Sequence, residues 1–172
     1  MRNQATTRIL GIDPGFGRMG WGVIDVQGNK RQYVAHGCVE TPPSDSFLRR
    51  LGSIHKVLKA VIVEHTPTHA AVEDLFFAKN AKTAMKVGQA RGVILLTLFQ
   101  ANLPVAEFTP MQIKQAITGY GSAEKGQIQR MVQMELRLKE LPKQDDAADA
   151  LAVAITAANA MKMAALSKKI AK

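Results

Sequence analysis

The chain has a single cysteine, Cys38, among 172 residues. One thiol excludes a disulfide scaffold and a cysteine-rich zinc site, and it fits a reducing cytoplasm. Aromatic residues make up only 5% of the chain, so any stacking on nucleobases must rest on very few side chains. The first eight residues, Met1 to Arg8, contain no apolar signal-peptide core. Uninterrupted apolar stretches, such as Val93 to Leu96 and Leu98 to Phe99, are too short to cross a bilayer. Internal repeats and low-complexity linkers are missing as well. Acids are scarce over long intervals: Glu107 alone lies between Asp74 and Glu124, and none follows Asp149.

Apolar residues account for 47% of the chain, enough for a core and too many for a disordered polymer. The length predicts one domain, taken as residues 1–166 with a basic, flexible tail at 167–172. Lys and Arg number 23 against 14 Asp and Glu, a net charge of +9 and a sequence pI near 9.9. That balance favours a polyanionic partner without identifying one. Lys79, Lys82, Lys86, Arg91 and Lys114 fall in the acid-poor interval, whereas Asp145, Asp146 and Asp149 crowd together. This segregation suggests a basic binding face around a small acidic centre. Its plain alternative is a set of solvated helix faces with a basic tail.

Three strand-like runs open the chain, Arg8 to Asp13, Gly20 to Val26 and Arg31 to Val39. The turn signals Asp13-Pro14-Gly15 and Gln27-Gly28-Asn29 between them make an antiparallel meander. A helix follows from Phe47 to a stop at Thr66-Pro67, capped by Asp45 or Ser46. Short strands are expected at His69 to Glu73 and Leu103 to Phe108, separated by a helix from Asn80 to about Ala101. Further helices are expected from Met111 to Thr118, from Ser122 with its hydroxyl as the cap, and from Asp145 past Ala160. The pattern is α/β: a mixed five-stranded sheet, a three-strand meander plus two parallel strands, flanked by helices.

Asp13 and Glu73 end strands, at the edge where open α/β sheets place ligands. Asp146 and Asp149 are three apart at a helix start, so they share a face with about 5–6 Å between Cβ atoms. Four carboxylates from three places in the chain can therefore converge. Oxygen-only donors suit Mg²⁺, which keeps waters and substrate phosphate oxygens among its ligands. Each acid also has a plain role: Asp13 in a turn, Asp146 at the positive end of a helix dipole, Glu73 in a lysine pair. Asp145, at i,i+4 to Asp149, competes with Asp146 on periodicity alone.

Several segments, in order, resemble the RuvC family, the crossover-junction endodeoxyribonucleases that resolve Holliday junctions. They are Ile9-Leu-Gly-Ile-Asp13-Pro-Gly15, Gly20-Trp-Gly-Val-Ile24, Glu73-Asp-Leu-Phe-Phe-Ala-Lys-Asn80 and Gly88-Gln-Ala-Arg-Gly-Val93. Gly119-Tyr-Gly-Ser-Ala-Glu-Lys125, Gln127-Ile-Gln-Arg-Met-Val132 and Asp146-Ala-Ala-Asp-Ala-Leu-Ala152 continue the series. The resemblance implies an RNase H-like fold and a catalytic, metal-binding quartet of Asp13, Glu73, Asp146 and Asp149. It implies two Mg²⁺ per subunit, with Mn²⁺ as a substitute, and nicks leaving 5′-phosphate and 3′-hydroxyl ends. Register with the motif favours Asp146 over Asp145, and strand alternation points Asp74 the opposite way from Glu73, which makes it peripheral.

By the same resemblance, Lys114 and Lys125 lie near the scissile phosphate, and Phe76, or its neighbour Phe77, stacks at the junction crossover. Lys79, Lys82, Lys86 and Arg91 then read as DNA-backbone contacts, which set register without reading sequence. The implied partners are four-way junction DNA, a second copy in a homodimer, and the branch-migration proteins RuvA and RuvB, in recombination and repair in the cytoplasm. The helix after Asn80, with Val87, Val93, Ile94 and Leu95, is the candidate dimer interface. His65 and His69 are separated by a helix-breaking Thr66-Pro67 and make no metal pair. The eight methionines, Met131 and Met134 among them, read as core filler, and Cys38 as an inert buried thiol. Two other readings are a non-catalytic junction binder on the same fold and an actin-like phosphotransferase, suggested by Asp13-Pro-Gly15.

Overall fold

The computed structural model describes residues 6–74 and 81–170, with the side chains of 81–83 and 168–170 excepted. Its elements are β1 (Thr7–Asp13), β2 (Arg18–Gln27), β3 (Lys30–Glu40), α1 (Phe47–His65), β4 (His69–Glu73), α2 (Ala81–Gln100), β5 (Val105–Phe108), α3 (Pro110–Thr118), α4 (Lys125–Leu136) and α5 (Asp145–Ile170). The five strands form one sheet in the order β3-β2-β1-β4-β5. The β1–β2 and β2–β3 pairs are antiparallel, and β4 pairs in parallel with both β1 and β5. This is the expected mixed α/β sheet.

Strand alternation decides what each side chain meets. In β1, Leu10 and Ile12 face a core shared with Ile54 and Leu58 of α1 and Ile94 and Leu98 of α2. Ile9 faces the opposite core, with Leu151 and Ile155 of α5, Ile113 of α3 and Val132 of α4. Odd positions of β1 and β4 therefore look towards α5, and Asp13 and Glu73 share that parity. Asp74 falls on the other side. The sequence thus sorts its acids by face before any tertiary contact is considered.

The middle of α5 is apolar on all sides, and residues 147–158 are buried apart from Asp149, as befits a helix enclosed by protein. Asp145–Ser167 is long and apolar enough to cross a membrane by length and composition, but half of its window is buried inside the fold. The helix lies unusually close to the sheet because glycines line its path. A Cβ at Gly11 would stand 2.1 Å from the Ala150 carbonyl oxygen, and one at Gly20 1.8 Å from that of Asp146. Alanines on the helix and glycines on the strands bring the two backbones together.

Most predicted elements stand within a few residues of their expected bounds, and Ser46 is the cap of α1, accepting from the Arg49 N–H. The start of α4 differs. Its N-cap is Glu124, whose N–H donates to the Gln127 side chain at 3.0 Å. Ser122 would have Lys125 at that third position, which offers no acceptor, whereas Glu124 has Gln127. The methionines also differ from expectation. Met19 is fully buried and Met131 packs against the core, but Met85, Met111, Met134, Met161 and Met163 are exposed. Cys38 is half-buried, because β3 is an edge strand, and burial raises its thiol pKa.

Candidate active site

Three elements end at one edge of the sheet. Parallel pairing of Ile12 with Val72 sets Asp13 and Glu73 side by side at the carboxyl ends of β1 and β4. Antiparallel pairing puts Gly20 opposite Asp13. The backbone of Asp146 rests directly over Gly20, so the first turn of α5 is pressed against the end of β1. The turn after Asp13 is braced from behind. Thr41 Oγ1 donates to the Phe16 carbonyl at 2.6 Å, and the Arg50 guanidinium lies 3.9 Å from the centre of the Phe16 ring.

Burial of Asp13 beside Glu73, Asp149 and Asp146 pushes its pKa up to about 8. Its side chain shares a hydrogen bond with Glu73, so one carboxyl of this pair carries the proton. Glu73 is raised by burial and then by the charge of Asp149, and Asp149 is raised by burial against the opposing pull of Lys125. Lys125 Nζ stands 3.1 Å from Asp149 and 3.3 Å from Asp145. Burial works against the Lys125 charge, but the hydrogen bonds and charges of Asp149 and Asp145 outweigh it and raise its pKa. Asp145 is depressed by Lys125 and then by Gln129, which donates to it at 3.0 Å.

The four carboxylates are close but turned. Among the described residues, no three acidic, histidine or cysteine side chains present donors to one ion-sized point. Asp13 and Glu73 hold each other, Asp149 faces Lys125, and Asp146 faces Arg18, whose Nε is 3.4 Å from Oδ2. That Oδ2 is buried and has no hydrogen bond among the described residues. An all-oxygen donor set, an orphaned carboxylate oxygen and a proton held above its normal range fit a hard divalent cation, which takes oxygen ligands and displaces protons. A cleft of about 180 Å³ opens beside the cluster, lined by Glu73, Lys114, Lys125 and Asp149.

Lys114 and Lys125 thus stand beside the carboxylates, and Lys86 is exposed on α2. Phe76, Phe77 and Lys79 lie outside the described residues, as does the Lys82 side chain. Arg91 has a different place from that expected of a DNA contact. Its side chain is 19% exposed and its guanidinium bridges Asp74, at 3.1 Å, and Glu107. Asp74 occupies the face opposite Glu73, where strand parity puts it. Val87, Ile94 and Leu95 of α2 turn inward onto the α1 core, while Met85, Leu96 and Phe99 stand out in solvent. His65 stacks near Trp21, with ring centres 5.5 Å apart, and takes no part in the cluster. Arg18 was not predictable as a site residue: it opens a strand after a glycine turn, and its partner is distant in sequence.

Known proteins share this arrangement of sequence and fold. A curated RuvC crossover junction endodeoxyribonuclease from Heliobacterium modesticaldum is 54% identical over 153 residues, covering 89% of this chain and 94% of the relative. One from Thermosipho melanesiensis is 50% identical over 147 residues, covering 86% and 94%. Thermus thermophilus RuvC in complex with Holliday junction substrate superposes with a TM-score of 0.87 at 38% identity, covering 92% of this chain and 96% of that one. The yeast mitochondrial Holliday junction resolvase Ydc2, 11% identical with a TM-score of 0.64 over 91% of this chain and 79% of its own, shares the RNase H-like fold. The family model described as crossover junction endodeoxyribonuclease RuvC matches residues 9–157, which include all four clustered acids. This match sets aside the phosphotransferase reading, and the chain belongs to the RuvC family of metal-dependent junction endonucleases.

Proposed function

We propose that the protein resolves four-way DNA junctions by paired, symmetric nicks, using Asp13, Glu73, Asp146 and Asp149 to hold two Mg²⁺, or Mn²⁺ in their place. One observation carries this reading: the burial of Asp13 against three other carboxylates at one sheet edge, which raises its pKa to about 8. A fold keeps so much like charge together at a cost, and a structural role would be met by fewer acids. When bound, the cations supply charge neutralisation for the attacking and leaving oxygens of an in-line phosphoryl displacement. Asp13 and Glu73 must release the proton they share before they serve as ligands. Lys125 and Lys114 line the adjacent cleft and are suited to hold the phosphate and offset charge that develops on it. Lys79, Lys82 and Lys86 would track the DNA backbone, and Phe76 would stack at the crossover. The products would carry 5′-phosphate and ligatable 3′-hydroxyl ends.

Two symmetric cuts call for two sites, and a C2 dimer provides them. The outer stripe of α2, with Met85, Gly92, Leu96 and Phe99 exposed at helical spacing, is apolar enough to serve as the contact. Branch-migration proteins of the RuvA and RuvB type and a cytoplasmic site of action follow from the family alone. A labelled four-way junction and a linear duplex of the same sequence test the reading. Mg²⁺ should release two nicked duplexes from the junction only, and EDTA should stop the reaction. Cleavage that ignores EDTA, or that treats duplex and junction alike, contradicts it.

A further inference from the structure

We infer that Arg18 is an exchangeable counter-ion, holding Asp146 in the metal-free protein and turning to a phosphate of the bound strand once a divalent cation takes that carboxylate. The inference rests on the junction-nuclease reading and concerns a residue that the sequence did not mark. Arg18 opens β2 at the edge where the acids gather, and its side chain is 59% exposed. Its Nε lies 3.4 Å from Asp146 Oδ2, yet that oxygen has no hydrogen bond among the described residues. The contact is thus Coulombic and long, between a buried carboxylate oxygen and a guanidinium whose side chain is mostly exposed, the kind of ion pair that contributes little.

The other cation paired with these acids is held differently. Lys125 has two carboxylates, Asp149 and Asp145, whereas Asp146 is the one ion-pair partner of Arg18 among the described residues. Of the two, Arg18 is the one free to leave. A divalent cation on Asp146 would repel the guanidinium at short range. The strand to be cut brings a phosphate to the same edge, and the planar fork of Arg matches phosphate oxygens. One side chain would then neutralise the site in turn against its own acid and against the substrate.

Two measurements on the intact protein test this, with Lys59→Gln as a charge control on exposed α1. In the first, Mn²⁺ is titrated into DNA-free protein by calorimetry. Arg18→Gln should bind about 1.5–5-fold more tightly than wild type, the worth of an exposed ion pair, and Lys59→Gln should not. In the second, junction binding is followed against salt with Ca²⁺ replacing Mg²⁺. Losing one phosphate contact per subunit lowers the slope of log affinity against log salt by about 0.9 per subunit. Between about 50 and 200 mM salt, wild type should therefore lose about 3.5-fold more affinity per subunit than Arg18→Gln. Arg18→Lys should keep the wild-type slope. An Arg18→Gln protein that matches Lys59→Gln in either measurement overturns the inference. Wild-type protein that binds no junction instead overturns the nuclease reading, and the Mn²⁺ titration, which needs no DNA, still decides whether Arg18 competes for Asp146.

Discussion

Replacing Asp13 with asparagine should stabilise the metal-free protein, by an amount that grows with pH. The carboxyl has a pKa of about 8 in the fold, against an ordinary value of 3.8. Between those values the folded state holds a proton that the unfolded chain has released, so stability falls as pH rises. The slope reaches about 1.4 kcal/mol per pH unit, which makes the loss between about pH 5 and pH 7.5 roughly 3 kcal/mol. Glu73 and Asp149 are raised as well and act in the same direction. His36, lowered by burial, acts in the opposite one. Comparing wild type with Asp13→Asn at each pH largely cancels these other groups, and asparagine imitates the protonated acid in shape and charge. For a domain of this size each kcal/mol moves Tm by about 2–4 °C. In EDTA, Asp13→Asn should therefore melt within a few degrees of wild type near pH 5 and about 10 °C above it near pH 7.5. Mg²⁺ should raise the wild-type Tm at the higher pH and narrow the gap. A gap that stays constant or shrinks as pH rises refutes the electrostatic account of the cluster.

Other perturbations separate the parts of the architecture. Gly20→Ala places a Cβ 1.8 Å from the Asp146 carbonyl, so it should lower stability by about 3 kcal/mol or more and abolish cleavage, read by urea unfolding and junction assay. Gly92→Ala meets no atom of the described residues within 4 Å. It should favour the helix by about 0.5–1 kcal/mol yet weaken self-association if α2 is the dimer contact, as sedimentation equilibrium would report. Arg91→Gln leaves Asp74 and Glu107 without their shared cation. It should cost up to about 1 kcal/mol in urea while leaving the salt dependence of junction binding unchanged; a shallower salt slope would return Arg91 to the DNA-binding surface.

Much of the site was legible because local signals and strand parity agree. Glu73 ends an apolar run, Asp13 begins a Pro-Gly turn, and Asp146 and Asp149 open a helix, each a short-range pattern. Parity then explains why Asp74, next door to Glu73, pairs with Arg91 on the other face. What escaped was long-range or competitive. A lysine-rich interval says nothing of which cation folds back onto an acid, so Arg91 read as a DNA contact. Val87, Ile94 and Leu95 are as apolar as Met85, Leu96 and Phe99, and only the packing of α1 against α2 decides which of them is exposed. The start of α4 was readable in principle, since Glu124 and Gln127 have the spacing of a reciprocal cap and Ser122 lacks its partner. Arg18 gave no local signal at all.

The proposed function makes four carboxylates the metal centre of a junction endonuclease. It is tested most directly by cleavage and binding of one labelled four-way junction by Asp13→Asn, Glu73→Gln, Asp146→Asn and Asp149→Asn beside wild type. Each variant should still bind the junction, in Ca²⁺ or without metal, and Mg²⁺-dependent nicking should be lost in all four. Wild-type nicking rates in Asp13→Asn or Asp149→Asn would contradict it.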